Sequence, residues 1–516
     1  MKTYSRSLSI LSLILALLIL SLSPVSIQPV EAQARMSFQY ADLQGVENAF
    51  QWLTTLQFGP DGRLYVAQRL GRIFALTIER NGVADYVVTQ SESIHNIWQD
   101  IPNHSDDTGE IVEELDGLPP SRQITGIYAT GTAENPVLYV SSSDPREGGG
   151  GIKGDLNLDT NSGVISRLTW TGTEWEHVQL VRGLPRSELN HSVNGMAIDE
   201  NNNIMYLAIG SMGNMGAPSA FFADTPEYAY AGAILAIDLT AIGDNTYDMP
   251  TLDDPTRENL PDGSDVNDPF GGNEGLNQAR IDPSSPVQLY ATGFRNPYDV
   301  VLMENGRLYS IDNGPNLTWG GPPIIHEDGT CDNTLNEEGA ERYFDNLHLV
   351  VEGMYAGHPN PTRANPEVIY GADNEAQSPV PYDLANPEEC NYLLPGVDDN
   401  ALATWTASTN GLVEYTASNF GGIMQGDLLT VSYSGTVSRI SLNETGDALV
   451  DLTPMRDDDW GYMILFHDFG LIPLDVTAQG DDAIFPGTIW VVNFAAHTIT
   501  VFEPGDYDCQ NTDAGC

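Results

Sequence analysis

Basic residues are scarce in this chain. Lys and Arg together number 21 among 516 residues against 72 Asp and Glu, a formal net charge of −51 at pH 7. So acidic a chain repels phosphate backbones and anionic headgroups, which excludes charge-driven nucleic-acid and lipid-surface roles. Cysteine is rarer still: four residues, Cys331, Cys390, Cys509 and Cys516, with no Cys-x-x-Cys spacing, so zinc-ribbon and dithiol redox chemistry drop out. After Leu22 no apolar run is long enough to cross a bilayer. Long helices are not indicated either, because 50 Gly and 32 Pro punctuate nearly every apolar stretch. No Gly-x-Ser-x-Gly elbow, Walker loop or dinucleotide fingerprint precedes a helix, which removes the common hydrolase and nicotinamide readings.

What is present begins with an export signal. Lys2 and Arg6, an apolar run from Leu8 to Leu22, Pro24 and the small-residue site Ala32-Gln33-Ala34 read as a secretory signal peptide over residues 1–34, with a retained anchor as the alternative. At about fifteen residues the run falls short of the roughly twenty that span a bilayer. Four cysteines in an exported chain predict two disulfides. Cys509 and Cys516 are close enough to tie off the tail, which leaves Cys331 with Cys390.

Residues 35–516 carry one recurring pattern: a polar turn, a strand ending in an apolar residue followed by Tyr or Val, a gap, and a second alternating strand. Pro60–Val66 with Arg72–Leu76 is the first copy, and Thr488–Val492 with Thr498–Val501 the last. About six copies predict a single all-β domain, a six-bladed β-propeller with long inserted loops. The insertions at 95–120, 144–162, 212–230, 243–280, 317–342 and 360–410 are expected to gather on one face and shape a site. Ring closure is expected to pair the stretch near Phe50 with the blade containing Trp490, since an open propeller leaves edge amides unpaired.

The most informative stretch is Tyr290–Asn316, YATGFRNPYDVVLMENGRLYSIDNGPN. Arg295 and Asn296 place a guanidinium beside an amide after an apolar strand, where an Arg fork can clamp a planar carboxylate. Asn305-Gly306 is a hairpin signal. Asp312-Asn313-Gly314-Pro315-Asn316 ends the next strand in tight backbone whose free carbonyls suit a hard cation. This order resembles the soluble quinoprotein glucose/sorbosone dehydrogenase family, six-bladed propellers carrying pyrroloquinoline quinone and calcium. The resemblance implies that Arg295 and Asn296 contact the quinone, with Gln123 near a family glutamine, and that Gly314 and Pro315 offer carbonyls to calcium. His191, in Asn190-His191-Ser192-Val193-Asn194-Gly195 after Gly183-Leu184-Pro185, falls where the family keeps its general base. An imidazole suits that role because its pKa lies near working pH. Phe344–His348 and Glu352–Pro359 resemble two further family segments.

Several positions depart from the family pattern. Ser211 stands where an aspartate orients the histidine. Ile472-Pro473-Leu474-Asp475-Val476 stands in place of an Arg-x-Arg-Asp-Val, and Ser432-Tyr433-Ser434-Gly435 in place of a lysine segment. A cofactor with three carboxylates then has one obvious cation, with Lys153, Arg186, Arg439 or Arg456 as substitutes. Asp155–Gly163 alternates oxygen-bearing residues in the manner of a calcium loop, but reads better as a polar hairpin. The expectation is a secreted enzyme oxidising a sugar hydroxyl and passing electrons to an unknown acceptor, without nucleic-acid or membrane partners. The alternative is a non-catalytic propeller of the same ancestry binding a glycan or protein.

Overall fold

Strands that are sandwiched on both faces read as near-continuous apolar runs, and here those runs are the middle strands of six sheets. A computed structural model describes residues 36–508 apart from 47–48, 113–114, 116–120, 152, 258–264, 341–343, 407 and 451–460. Every strand pair read from the sequence is the second and third strand of a blade. Leu64–Gln68, Asp427–Ser432 and Ile489–Asn493, for instance, are buried at every residue. The inner and outer strands of each blade escaped the sequence pattern because one edge borders the central channel and the other borders solvent.

The inner strands are Leu53–Phe58, Gln123–Gly131, Val193–Asp199, Pro297–Leu302, Thr409–Tyr415 and Pro473–Ala478. Each packs on the next and the last packs on the first, so the six sheets form one closed ring. Closure is made by Phe38–Asp42, which pairs antiparallel with Thr498–Pro504 in the blade containing Trp490. The closing strand therefore lies about ten residues before Phe50, which is instead buried in the apolar core shared by the first and last blades. The second blade gains a fifth strand, Tyr247–Asp248, that runs parallel to its outer edge and comes from the chain beyond the third blade's third strand. Among the described residues helices have at most five residues, and none is long and apolar enough to cross a membrane.

The insertions do not all leave from one face. Those at 95–120, 144–162, 212–230 and 317–342 join strands at the end of the ring where the inner strands begin. Those at 243–280 and 360–410 follow third strands, which in an antiparallel blade end at the opposite rim. They rejoin the first group, as the bonds Asn161 N to Phe270 O (3.2 Å) and Asn360 Nδ2 to Tyr228 O (2.8 Å) record. Cys331 and Cys390 form a disulfide that ties the 317–342 insertion to the 360–410 insertion; Cys509 and Cys516 lie outside the described residues.

Carboxylates stitch neighbouring blades around the channel. Asp299 accepts from Val300 N at 2.8 Å and, across the blade boundary, from Leu412 N at 2.9 Å. Asp475 repeats this with Val476 N at 2.8 Å and Leu56 N at 3.1 Å. Both occupy the same place in a Pro-x-Asp-Val segment, just after a bulge in the inner strand. Gly195 has no side chain because a methyl there would collide with the Asp299 carboxylate. Burial raises both acids, Asp299 well above the usual carboxylate range and Asp475 to about 6.

The sign of the pH effect follows. The folded chain keeps protons on Asp299 and Asp475 that the unfolded chain releases near pH 4, so stability is present at acid pH and declines as pH rises through about 6. The melting temperature is expected to be higher at pH 5 than at pH 8, and Asp475→Asn should flatten that slope. A melting temperature that climbs between pH 5 and 8 would contradict the protonated state assigned to these groups.

Candidate active site

At the ring face where the inner strands begin lies a cavity of about 420 Å³. Gln123, His191, Arg295, Asn296, Gly314 and Pro315 all border it, although 192 positions separate the first from the last. They come together because inner-strand starts and second-to-third-strand turns from every blade meet at this face.

His191 sits in the turn that enters the third inner strand. Its backbone is held on both sides, N–H to Ser187 Oγ at 2.9 Å and carbonyl to Ser187 N at 2.9 Å. Ring Nδ1 lies 3.0 Å from the Ser211 carbonyl, which accepts a hydrogen bond from Nδ1–H and so leaves Nε2 as the acceptor. Ser211 Oγ is 3.3 Å from the same nitrogen but donates to Gly213 O at 2.7 Å. The backbone carbonyl thus takes over the orienting task for which the sequence offered only a serine. Burial and the nearby Arg295 charge push the imidazole well below its ordinary pKa. A buried pair beside this turn had no sequence signal: His358 Nε2 lies 2.9 Å from Glu227 Oε1, and Glu227 Oε2 accepts from Met212 N at 2.9 Å.

Arg295 and Asn296 are locked by Asp312, which accepts from both backbone N–H groups at 3.0 and 2.7 Å. The Arg295 guanidinium is buried, bonds Asn214 Oδ1 at 3.2 Å and Asn313 O at 3.4 Å, and leaves Nη2 without a partner. Desolvation lowers it to about 10, so it is cationic at neutral pH. Asn296 bonds Asn313 Oδ1 at 3.1 Å and receives Asn194 Nδ2 at 3.0 Å. Gln123 directs Nε2 toward Ser192 Oγ at 3.5 Å while its buried Oε1 has no partner.

Gly314 and Pro315 follow the second strand of the fourth blade. Gly314 N–H donates to Asp345 Oδ1 at 2.9 Å, and a methyl on Gly314 would strike the Phe344 carbonyl. Among the described residues no donor engages the Gly314 or Pro315 carbonyl, and no three His, Cys, Asp or Glu side chains converge on a metal-sized point. A cation here would rest on carbonyl oxygens with Asp345, which also lines the cavity, as the nearby carboxylate. Burial raises Asp345 to about 8 and Asp312 to about 7.

A second guanidinium reaches the cavity, and it is none of the four substitutes named from the sequence. Arg69 lines the wall and pairs with Glu147 at 2.7 Å. Arg186 is spent on the carbonyls of Asp144, Arg146 and Ser187, Arg439 pairs with Asp427, Lys153 reaches the Glu147 carbonyl at 2.8 Å, and Arg456 lies outside the described residues. Arg69 is the first residue after its blade's second strand, the position that Asn313 holds in the fourth blade; reading that place across all copies would have found it. Leu474 and Tyr433 border the cavity where the family pattern calls for cations. The Asp155–Gly163 stretch is structural: Asp159 Oδ2 lies 2.7 Å from His104 Nδ1, and its Oδ1 receives Asn267 Nδ2 at 2.8 Å.

No family model matches this chain, and no curated protein matches it. Solved structures do. The chain is similar to quinone-dependent sugar dehydrogenase propellers. The PQQ-bound aldose sugar dehydrogenase of Streptomyces coelicolor aligns at 15% identity over 91% of this chain and 98% of that one, TM-score 0.43. A carbohydrate-active enzyme of family AA12 from Trichoderma reesei aligns at 12% over 90% and 95%, TM-score 0.49. The PQQ domain of the pyranose dehydrogenase of Coprinopsis cinerea aligns at 11% over 90% and 97%, TM-score 0.41. At such identities the likeness is one of fold, and the chemistry rests on the residues of this chain.

The cavity geometry makes His191 a neutral imidazole with Nδ1 protonated throughout the physiological range. Nitrogen-15 NMR at pH 6 should find Nε2 unprotonated, and an imidazolium signal at that pH would remove His191 as a proton acceptor.

Proposed function

We propose that this protein is an exported sugar dehydrogenase whose cavity at the channel mouth holds pyrroloquinoline quinone and its calcium ion. The observation that carries this reading is the convergence of six dispersed residues on one cavity, where the buried Arg295 Nη2 and Gln123 Oε1 have no partner. Buried polar atoms without partners cost free energy unless a ligand satisfies them. The donor set fits the cofactor: Arg295, and Arg69 if it turns from Glu147, toward carboxylates, Asn296 and Gln123 toward polar ring atoms, and the Gly314 and Pro315 carbonyls with Asp345 toward calcium. When bound, the quinone supplies the two-electron acceptor for hydride leaving the carbinol carbon. His191 Nε2 takes the hydroxyl proton, so the sugar loses one hydride and one proton and becomes a carbonyl. The Ser211 carbonyl holds the tautomer, and Arg295 keeps the base neutral by raising the cost of a second buried cation. Leu474 and Tyr433, in place of family cations, favour the second reading, a non-catalytic propeller that binds a glycan or protein.

The disulfide suits an oxidising compartment, and amino-terminal sequencing of the exported chain is expected to begin at Arg35. Purified protein titrated with quinone and calcium is expected to develop a bound-cofactor absorbance and to melt at a higher temperature as calcium rises. His191→Ala should retain the quinone while turnover falls roughly a hundred- to ten-thousandfold. Arg295→Ala should instead weaken quinone affinity, since it removes a cation from a buried polyanion site. Absence of quinone binding at every calcium level would leave the non-catalytic propeller as the function.

A further inference from the structure

The carbonyl that orients His191 belongs to a peptide with a carboxylate at its other end. The Ser211–Met212 peptide offers its carbonyl to His191 Nδ1 at 3.0 Å, and its N–H, on Met212, donates to Glu227 Oε2 at 2.9 Å. A carboxylate that accepts from a peptide N–H polarises the unit and makes its carbonyl a stronger acceptor. Ser211, Met212, Glu227 and His191 are all buried, so water does little to screen the effect.

The peptide is also held in place. Ser211 N–H donates to the Arg295 carbonyl at 2.7 Å, and Ser211 Oγ donates to the Gly213 carbonyl at 2.7 Å. Glu227 Oε1 lies 2.9 Å from His358 Nε2, and because a carboxylate only accepts, that nitrogen carries the hydrogen. A methyl on Gly213 would stand 3.1 Å from Glu227 Oε1, so glycine gives the carboxylate room to close on the turn. Burial, then Arg295, and after them His358 and Arg186 disfavour a charged His191, while the Ser211 carbonyl opposes them. Glu227 faces Arg295 as well.

We propose that Glu227 is a positioning residue for His191: its carboxylate acts through the Ser211–Met212 peptide and supplies, from another segment, the charge that an aspartate at position 211 would have brought. The proposal rests on the reading of His191 as the proton acceptor in sugar oxidation. When Nε2 takes the hydroxyl proton the ring becomes an imidazolium; the Nδ1 proton stays on nitrogen, the peptide keeps its bonds, and Glu227 remains a carboxylate.

The test is Glu227→Gln in the full-length chain, which removes the charge and keeps an oxygen for Met212 N–H. In the protein without added quinone, labelled with nitrogen-15 at histidine, the His191 Nδ1–H proton resonance should move upfield, as expected of a weaker hydrogen bond, while the melting temperature holds. In quinone-loaded enzyme, kcat for the sugar should fall about tenfold with KM and quinone affinity within about twofold of native. Should Glu227→Gln not fold, Glu227→Asp, which draws the same charge back by one methylene, is read in the same way and should give a smaller upfield shift. An unchanged Nδ1–H resonance in the folded variant overturns the proposal. So does a loss of quinone affinity without that shift, which would assign Glu227 to Arg295 instead. The resonance needs no quinone, so native protein that binds no quinone and oxidises no sugar removes the dehydrogenase reading and leaves the link between Glu227 and His191 decided by the shift.

Discussion

A sheet edge with unpaired amides is the liability on which this structure turns. Six sheets leave no exposed inner edge only if they close into a ring, and the strand Phe38–Asp42 completes the final blade against Thr498–Pro504. Once closed, the ring has two faces with different contents. Every inner strand starts at one face, so the turns entering those strands and the turns between second and third strands converge there. The candidate site is a consequence of that parity, and residues almost two hundred positions apart become neighbours without any local signal to bring them together.

The interior chemistry is dominated by carboxyl groups held away from water. Asp299 and Asp475 bridge blades through backbone amides, while Asp312 and Asp345 hold the turns that present Arg295, Asn296 and Gly314. Each is raised by burial, because backbone N–H groups only partly replace hydration of the charged form. Arg295 is a buried cation with one nitrogen unsatisfied, beside acids whose charged forms burial disfavours. A buried guanidinium with a free nitrogen, deep in a chain of net charge −51, is the feature that most clearly asks for an anionic ligand.

The middle strands and the site turns were legible because they carry local chemistry: an apolar strand buried on both faces, an Arg-Asn-Pro turn, a histidine ahead of a strand. Other features were not. The closing strand Phe38–Asp42 is mostly exposed or half-buried and lacks the apolar pattern that marked its neighbours. The Pro-x-Asp-Val segments at 297–300 and 473–476 share a role that needs the ring, since each carboxylate bonds a strand more than a hundred positions away. Glu227 and His358 meet across 131 positions, and nothing in either segment announces the other.

The amino-acid sequence by itself determined the repeat number and the all-β class, and it marked six of the residues that border the cavity, because each follows from patterns a few residues long. Only the tertiary structure decided which cation joins Arg295, since Arg69, Arg186 and Arg439 are alike until burial and carbonyl geometry commit all but Arg69 elsewhere. It also decided that a backbone carbonyl, not the Ser211 side chain, orients His191. Those outcomes depend on how separate turns approach one another at the ring face, and the spacing between blades that governs the approach is a property of the closed propeller.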